Sequence, residues 1–593
     1  MKQFFGAFFG SIIGIVLATV LAVVIVIGVV KTTVNSTFNL DKDEELSKTK
    51  ANSILRIEIN GSIAERQKDN PFKGMGDFGS FGDDEQLATN SLLKKIDYAK
   101  TDKHIKGIYL NFKNLEGGFA TVEELRNALA AFKQSGKFIY SYSENFGQLE
   151  YYLASVSDKI FLNPQGEISW KGLGMRPIFF KRAFEKLDVE VQVFRHGKFK
   201  SAVEPFLLDK MSDASRYQAE TYLNSIWSTM LTGISQNRKM PVADLNRMAD
   251  RLEIHYPEDA VGKLVDALAY EDEVITALKK KTGLKESDKI KFADIQKYEA
   301  KTKISDKIVK DKIAIIYALG QISGGDGDDE SIGSDRIAKT IKDARLDDKI
   351  KAIVLRVNSP GGSALASDVI WREVLLAKKS KPVIVSMGDV AASGGYYISC
   401  AASWIFAQPN TITGSIGVFG LVPNIQKMLE NKLGITVDTV NTNKYSDVGS
   451  GLRKTTDFEY SFIQNSVERV YDTFTKRVAE GRKMTQANVD SIGQGRVWTG
   501  KDALKINLVD ELGGINDAIA YAVKITKLKE YKLVELPKQK NPFDALLGNK
   551  ETELETRIIQ RNLGATYIYF KQLQNIISLK GIQTRLPFDI FIE

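Results

Sequence analysis

The sequence predicts an α/β protein built from two tandem copies of one domain and preceded by a single membrane-spanning helix. Three observations support this prediction. The N-terminus is a long apolar run, the chain matches itself at a nearly constant offset, and short apolar runs alternate with amphipathic stretches. At 593 residues, the chain is also too long for a single hydrophobic core.

The duplication is visible in short segments that recur about 245 residues later. The matched pairs are 105–108 with 350–353, 151–154 with 396–399, and 264–266 with 508–510. A register kept over this distance indicates a duplicated domain, with halves near residues 50–285 and 310–535.

The second half shows the fold class most clearly. Residues 314–317, 352–355 and 383–385 are short apolar runs typical of buried strands, and residues 333–345 and 365–379 have helical spacing. Strands that alternate with helices favour a parallel sheet with right-handed crossovers.

These patterns divide the chain into four segments. They are a membrane anchor with its juxtamembrane segment (1–45), a first domain (46–300), a second domain (301–536) and a C-terminal helical extension (537–593). The junction around residues 280–312 is rich in lysine and acidic residues and is predicted to be a polar linker. Within the extension we expect a helix over about 551–577.

The anchor prediction depends on the run from Phe4 to Val30, which has no ionisable residue. A helix needs about 20 apolar residues to cross a bilayer. No small-residue cleavage site follows, which favours an uncleaved signal anchor over a cleaved signal peptide or a buried soluble helix. Basic residues flank the run at Lys2 and Lys31, and their small bias places most of the chain outside the cytoplasm.

Composition excludes several classes of function. Cys400 is the single cysteine, so no intrachain disulfide framework exists. The net charge of +8 is spread along the chain, which gives no support to nucleic-acid binding. The sequence has no His/Cys cluster and no phosphate-binding loop, so no metal site and no cofactor are predicted.

Chemistry is expected where the halves differ. Gly361 and Gly362 follow a predicted strand, and this pair forms either a tight turn or a turn that exposes amides to a developing oxyanion. Ser393 lies among small residues at the predicted start of a helix, where the aligned residue of the first half is Gln148. It is therefore either a nucleophile or a helix cap.

A nucleophilic serine needs a base. The three histidines, His104, His196 and His255, lack neighbours in sequence that would support a Ser-His-Asp triad. Lys200 is flanked by apolar residues that would bury it, and burial lowers the pKa of a lysine. Lys198 is a rival, and either lysine could equally be a solvated surface charge.

Four motifs together carry a family resemblance. They are residues 200–206 (KSAVEPF), 358–363 (NSPGGS), 392–397 (ASGGYY) and 413–417 (TGSIG). On these motifs, the chain resembles the signal peptide peptidase A (protease IV) family in its long, duplicated, membrane-anchored form. The resemblance implies two domains of the Clp protease/crotonase type.

It also implies roles for five residues. Ser393 matches the nucleophile and Lys200 the general base, the backbone amides of Gly362 and Gly394 match the oxyanion donors, and Ser415 matches an accessory hydroxyl. Lys444 in the second half remains a minority alternative for the base.

The implied function is a serine endopeptidase with a Ser-Lys dyad that degrades cleaved signal peptides and other small apolar peptides. The expected partners are these peptides, the lipid bilayer and further copies of the chain in a homotetramer. The expected location is the bacterial inner membrane, as a single-pass protein with its catalytic part facing the periplasm. The alternatives are a crotonase-like acyl-CoA enzyme and an inactive anchored scaffold.

Overall fold

The computed structural model describes residues 49–68, 86–300, 309–539 and 582–586. Contacts divide the chain into two units, 1–51 and 52–593, and the fold below belongs to the second. The predicted anchor helix and the predicted helix at 551–577 lie outside the described residues. Among the helices that are described, none combines the length and the apolar character needed to cross a bilayer. The predicted domain boundaries stay predictions.

The described residues of the first half form seven strands and a set of surrounding helices. The strands are β1 (Ser53–Ser62), β2 (Ile105–Glu116), β3 (Phe138–Phe146), β4 (Lys159–Ile168), β5 (Glu190–His196), β6 (Ala267–Leu268) and β7 (Phe292–Asp294). The helices are Thr89–Thr101, Phe119–Lys133, Gln148–Ala154, Lys181–Lys186, Ser201–Val203 (a 3-10 turn), Glu204–Leu207, Asp213–Arg238, Val242–Asp250, Pro257–Ala260 and Glu271–Lys281.

The second half repeats this alternation. Its strands are β8 (Lys312–Leu319), β9 (Ile322–Ser323), β10 (Ile332–Gly333), β11 (Ile350–Ser359), β12 (Gly361–Ser363), β13 (Val383–Ala392), β14 (Trp404–Ala407), β15 (Ile412–Gly414), β16 (Val418–Asn424), β17 (Val497–Thr499), β18 (Glu511–Leu512), β19 (Lys532–Leu536) and β20 (Gln583–Arg585). Its helices are Ser334–Leu346, Ala364–Ser380, Gly394–Ser399, Gln426–Met428, Leu429–Leu433 (a π turn), Asp457–Arg482, Gln486–Ile492, Gly500–Lys505 and Ile515–Thr526.

Each half has its own mainly parallel sheet. The strand order is β6-β4-β3-β2-β1-β7 in the first and β17-β15-β13-β11-β8-β19 in the second. The central strand β11 is buried along nearly its whole length, because helices cover both faces of a parallel sheet. This explains the apolar run at its centre, residues 352–355. The predicted α/β fold with two repeats is therefore confirmed.

A third sheet joins the halves and carries the candidate site. Its order is β10-β9-β12-β20-β16-β5, so one strand from the first half completes a sheet of second-half strands. Strand β5 runs antiparallel to β16, with His196 opposite Val418 and Glu190 opposite Asn424.

Buried polar contacts fix one half against the other. The Arg356 guanidinium donates to Glu65 at 2.9 Å and to Glu124 at 2.8 Å, and all three side chains are nearly inaccessible. The Asp389 carboxylate accepts from the Thr121 amide at 2.8 Å and from its hydroxyl at 2.6 Å. Strand β13, which leads to Ser393, is thereby tied to the first half.

The predicted elements of the second half are confirmed within a few residues, but the predicted polar linker is wrong. Its described part is packed against the first sheet: β7 pairs with β1, and Ile295 and Tyr298 are buried. Charged residues of this segment are interspersed with the apolar residues that pack against the sheet. Composition alone therefore could not predict the packing.

Candidate active site

Ser393 lies between the end of β13 and the short helix that begins at Gly394. Its backbone has φ 54° and ψ −111°, an uncommon conformation for a residue with a side chain. Its amide donates to the Gly414 carbonyl at 2.8 Å, which holds the turn in place. Ser393 stands at the N-cap position of this helix, as the cap interpretation requires, but its side chain makes no capping hydrogen bond.

Lys200 comes from the first half, four residues after β5. Because β5 pairs with β16, the chain that follows β5 is carried into the second half. The Phe199 amide donates to the Gln494 carbonyl at 3.0 Å, and the Gln218 side chain donates to the Phe199 carbonyl at 3.1 Å and to the Ser201 hydroxyl at 2.9 Å. Both neighbours of Lys200 are therefore fixed.

The structure brings Lys200, Ser393 and Ser415 together within one chain. The Lys200 Nζ lies 2.9 Å from the Ser393 Oγ, 3.1 Å from the Ser415 Oγ and 3.3 Å from the Ser415 carbonyl oxygen. The Ser393 hydroxyl also points towards the Gly417 carbonyl, at 3.4 Å. An amine in direct contact with a serine hydroxyl has the geometry required of its general base.

Burial favours the neutral form of the amine. Lys200 is fully buried, and desolvation holds its pKa well below the usual value for a lysine. Ser393 and Ser415 are also fully buried. A neutral amine can accept the serine proton, whereas an ammonium group cannot.

The predicted oxyanion residues lie beside Ser393. Gly361 has φ +96°, and a Cβ on it would be 2.7 Å from the Gly394 nitrogen, so the backbones of β12 and the helix are in close contact. A Cβ on Gly362 would be 2.0 Å from the Ile322 carbonyl oxygen. Glycine is therefore required at both positions for backbone to approach backbone.

The matching place in the first half is filled differently. Gln148 stands where Ser393 stands in the repeat, and its side-chain oxygen accepts from the Lys171 and Gly172 amides. Trp170 stands where Ser415 stands, is buried, and donates to the Leu245 carbonyl. Both side chains are buried and form hydrogen bonds with backbone groups.

The rival bases lie elsewhere. Lys198 is exposed over the Phe199 ring, and Lys444 is exposed over the Tyr445 ring. His196 has an acidic partner after all, because its Nδ1 lies 2.5 Å from the Glu468 Oε2. Sequence analysis found no such partner, since Glu468 lies in the other half.

Sequence analysis missed residues 494–496, which connect the lysine to the serines. The Gly495 amide donates to the Ile416 carbonyl at 2.7 Å, and the Ser415 amide donates to the Arg496 carbonyl at 2.7 Å. A Cβ on Gly495 would lie 2.6 Å from the backbone nitrogen of Lys200. An isolated Gly-Gln-Gly-Arg stretch gives no sequence signal for this role.

Known proteins are similar to this chain over much of its length. A family model described as Peptidase family S49 matches residues 131–285 and 376–529. The chain is similar to "Protease 4" of Salmonella typhi, with 38% identity over 82% of this chain and 80% of that one. It is 34% identical to "Serine protease SPPA, chloroplastic" of Arabidopsis thaliana, over 92% and 79% of the two chains. It is 37% identical to "Putative signal peptide peptidase SppA" of Enterococcus faecium, over 36% and 62%.

Proposed function

The chain belongs to peptidase family S49 and is a serine protease, and from this membership we propose that it cuts peptides with Ser393 as nucleophile and Lys200 as general base. The observation that carries the proposal is the 2.9 Å contact between the Lys200 Nζ and the Ser393 Oγ in a fully buried setting. Each half supplies one member of this dyad.

The reaction proceeds by acyl transfer. Neutral Lys200 takes the Ser393 proton while the Oγ bonds to the peptide carbonyl carbon, and the charge that develops on the carbonyl oxygen is stabilised by the amides of Gly362 and Gly394. The carbon–nitrogen bond then breaks as Lys200 returns the proton to the leaving amine. A water molecule, deprotonated by the same lysine, releases the acyl group and regenerates the serine.

Ser415 orients the base. Its hydroxyl and its carbonyl both contact the Lys200 Nζ, so the amine is held towards Ser393 in either protonation state. A neutral amine retains two protons, and these two contacts use both while leaving the lone pair free for the serine proton.

We propose cleaved signal peptides and other small apolar peptides as substrates. The family resemblance and the printed name of the Enterococcus faecium relative support this substrate class. The same resemblance supports two domains of the Clp protease/crotonase type, an anchor at residues 4–30 and a homotetramer. It also supports a location in the bacterial inner membrane with the catalytic part facing the periplasm.

The test is hydrolysis of a fluorogenic apolar peptide by the full chain in detergent. We expect Ser393→Ala and Lys200→Ala each to reduce kcat by at least about a thousandfold, because the members of a nucleophile–base pair act as one unit. Lys198→Ala is the matched control, since Lys198 is an exposed lysine two residues away. Lys444→Ala tests the alternative base.

Full activity of Lys200→Ala would refute the proposed base, and loss of activity in Lys444→Ala alone would place it in the second half. Absence of hydrolysis by the folded wild-type chain over a broad peptide panel would favour an inactive scaffold.

A further inference from the structure

A strap of three residues, 494–496, packs over the catalytic lysine. Gly495 at its centre is so close to Lys200 that a Cβ on it would be 2.7 Å from the Lys200 Cα and Cβ. A Cβ on Gly417 would lie 3.1 Å from the Lys200 Cδ and 2.6 Å from the Gly495 Cα. The lysine therefore packs directly against backbone at two glycines, with no room for water between them.

Exclusion of water is what favours the neutral form of Lys200. Burial lowers its pKa, and no charged neighbour among the described residues contributes. Its polar contacts are with the hydroxyls of Ser393 and Ser415 and with one carbonyl oxygen, all of them uncharged. Loosening the strap would therefore admit water, raise this pKa and reduce the neutral fraction of the base.

Tyr471 holds the first residue of the strap. It lies on the helix Asp457–Arg482 and is 5% exposed. Its hydroxyl accepts from the Gln494 amide at 3.1 Å and donates to the Asp490 Oδ1 at 2.7 Å. A tyrosine hydroxyl has one proton to donate and lone pairs that accept, so it makes both contacts at once. The carboxylate acceptor polarises the hydroxyl and thereby strengthens its bond with the Gln494 amide.

Gln494 connects Tyr471 to the lysine segment. Its φ of +52° is uncommon for a residue with a side chain, and such a conformation persists only where surrounding contacts hold it. Its carbonyl accepts from the Phe199 amide, one residue before Lys200, at 3.0 Å. The Tyr471 hydroxyl, the Gln494 backbone and the lysine segment therefore form one continuous series of hydrogen bonds.

The Tyr471 ring is fixed independently of its hydroxyl. The His196 ring stacks on it, with 3.7 Å between the ring centroids and 21° between the ring planes. The His196 Nδ1 in turn lies 2.5 Å from the Glu468 Oε2. Together with Asp490, these are the titratable side chains of the described residues that face Tyr471. Removal of the hydroxyl alone should therefore leave the ring in place, which makes phenylalanine the substitution to test.

We infer that Tyr471 and Asp490 are positioning residues for the base: the Tyr471 hydroxyl, oriented by the Asp490 carboxylate, keeps the strap closed over Lys200 and excludes water from it. This inference rests on the proposed function. Both residues act through the backbone of Gln494 and not through contact with the substrate. Their effect on the reaction is to set the pH above which Lys200 is neutral and can accept the Ser393 proton.

The test compares the pH–rate profiles of wild type and Tyr471→Phe, measured on the full chain in detergent with an apolar fluorogenic peptide. We expect kcat of the variant to be at least about tenfold lower on the acid limb and equal to wild type on the alkaline plateau, with KM unchanged. Hydration raises the pKa of Lys200, so less of the amine is neutral on the acid limb, while on the plateau it is neutral in both chains. Tyr256→Phe removes the hydroxyl of a 63% exposed side chain and should leave the profile unchanged.

Substitution of Asp490 tests the same hydroxyl from its other side. Asp490→Asn keeps an oxygen that accepts from the Tyr471 hydroxyl, so it should stay within about threefold of wild type at every pH. Asp490→Ala removes the acceptor and should reproduce the loss on the acid limb. The double variant Tyr471→Phe/Asp490→Ala should lose no more activity than Tyr471→Phe alone, because residues that act through one group are not additive.

Hydrogen exchange separates this inference from the proposed function, because it needs no hydrolysis. Exchange is followed by mass spectrometry in Ser393→Ala chains, in peptides that contain residues 494–496 and 199–201. Addition of Tyr471→Phe should raise the exchange rate in both peptides at least about tenfold, since amide exchange reports local opening. The helix Thr89–Thr101, in the first half, should exchange at an unchanged rate.

Loss of kcat by the same factor at every pH, in both Tyr471→Phe and Asp490→Ala, would refute the inference, since the pair would then support the fold without setting the charge of the base. Unchanged profiles with unchanged exchange would also refute it. Equal losses in Asp490→Asn and Asp490→Ala would refute the part assigned to the Asp490 oxygen. Absence of hydrolysis in every chain, with faster exchange at 199–201 in the Tyr471→Phe chain, would refute the proposed function and support the positioning of Lys200.

Discussion

Replacing Lys200 with methionine should abolish catalysis and change the free energy of unfolding by an amount that depends on pH. The side chain is fully buried and its pKa is depressed by desolvation. The native state therefore holds the amine neutral at pH values where the unfolded chain, with a lysine pKa of about 10.4, binds a proton. Methionine has a similar length and no proton to lose.

The sign and size of the effect follow from this difference in bound protons. Because the folded pKa is the lower one, the contribution of Lys200 to stability is fully present above about pH 10.4 and is lost as pH falls towards the native pKa. Each pH unit in this window costs about 1.4 kcal/mol. Within this window, the stability of Lys200→Met relative to wild type should therefore fall by about 1.4 kcal/mol for each unit by which the pH rises.

The variant also loses the three hydrogen-bonding contacts of the Lys200 amine, with the Ser393 hydroxyl and with the two Ser415 oxygens. Each contributes about 1 kcal/mol, so they lower the stability of the variant at every pH. These lost hydrogen bonds do not change how the difference in stability between variant and wild type varies with pH. The test therefore uses the slope of this difference against pH and not its absolute value.

The assay is urea unfolding of both chains in the same detergent, followed by tryptophan fluorescence at several pH values. Lys198→Met is the control, because Lys198 is exposed and its replacement should give a difference that does not change with pH. A pH-independent difference for Lys200→Met as well would mean that Lys200 is protonated in the native state. That result would refute the neutral-base mechanism.

Three further predictions concern the surroundings of the dyad. The kcat/KM of wild type should rise tenfold per pH unit below the depressed pKa of Lys200 and level off above it, as measured by a pH–rate profile from about pH 5 to pH 10. Gln218→Met should lower kcat about tenfold with little change in KM, because Gln218 fixes both neighbours of Lys200. Arg356→Met should lower the free energy of unfolding by about 3–5 kcal/mol in urea melts, because it leaves Glu65 and Glu124 buried without their cation.

Local sequence patterns were sufficient for three strands of the second-half sheet. The short apolar runs within β8, β11 and β13 are separated by helical periodicity, so their type could be predicted. The position of the turn at Ser393 could also be predicted, because the serine lies among small residues after an apolar run. The positive φ of Ser393 could not be predicted, because tertiary contacts such as the hydrogen bond to Gly414 impose it.

Features that depend on pairing between distant segments could not be predicted. The antiparallel register of β5 with β16 joins residues more than 220 positions apart, and no periodicity encodes it. The contact of His196 with Glu468 has the same origin. Strand β20 is a more extreme case, because a segment of three residues is too short to show a hydrophobic periodicity. It is a strand because it pairs with β12 on one side and with β16 on the other.

The proposed dyad takes Lys200 from one half and Ser393 from the other, and buried polar groups fix the contact between these halves. A shift of the first half along β16 by a single residue would turn the side chains of β5 to the opposite face and would withdraw Lys200 from Ser393. Apolar packing tolerates such slips better than directional hydrogen bonds do. The Arg356 contacts and the Asp389–Thr121 contact each require one geometry, and Asp389 lies only four residues before the nucleophile. The specificity of this interface therefore fixes the catalytic distance.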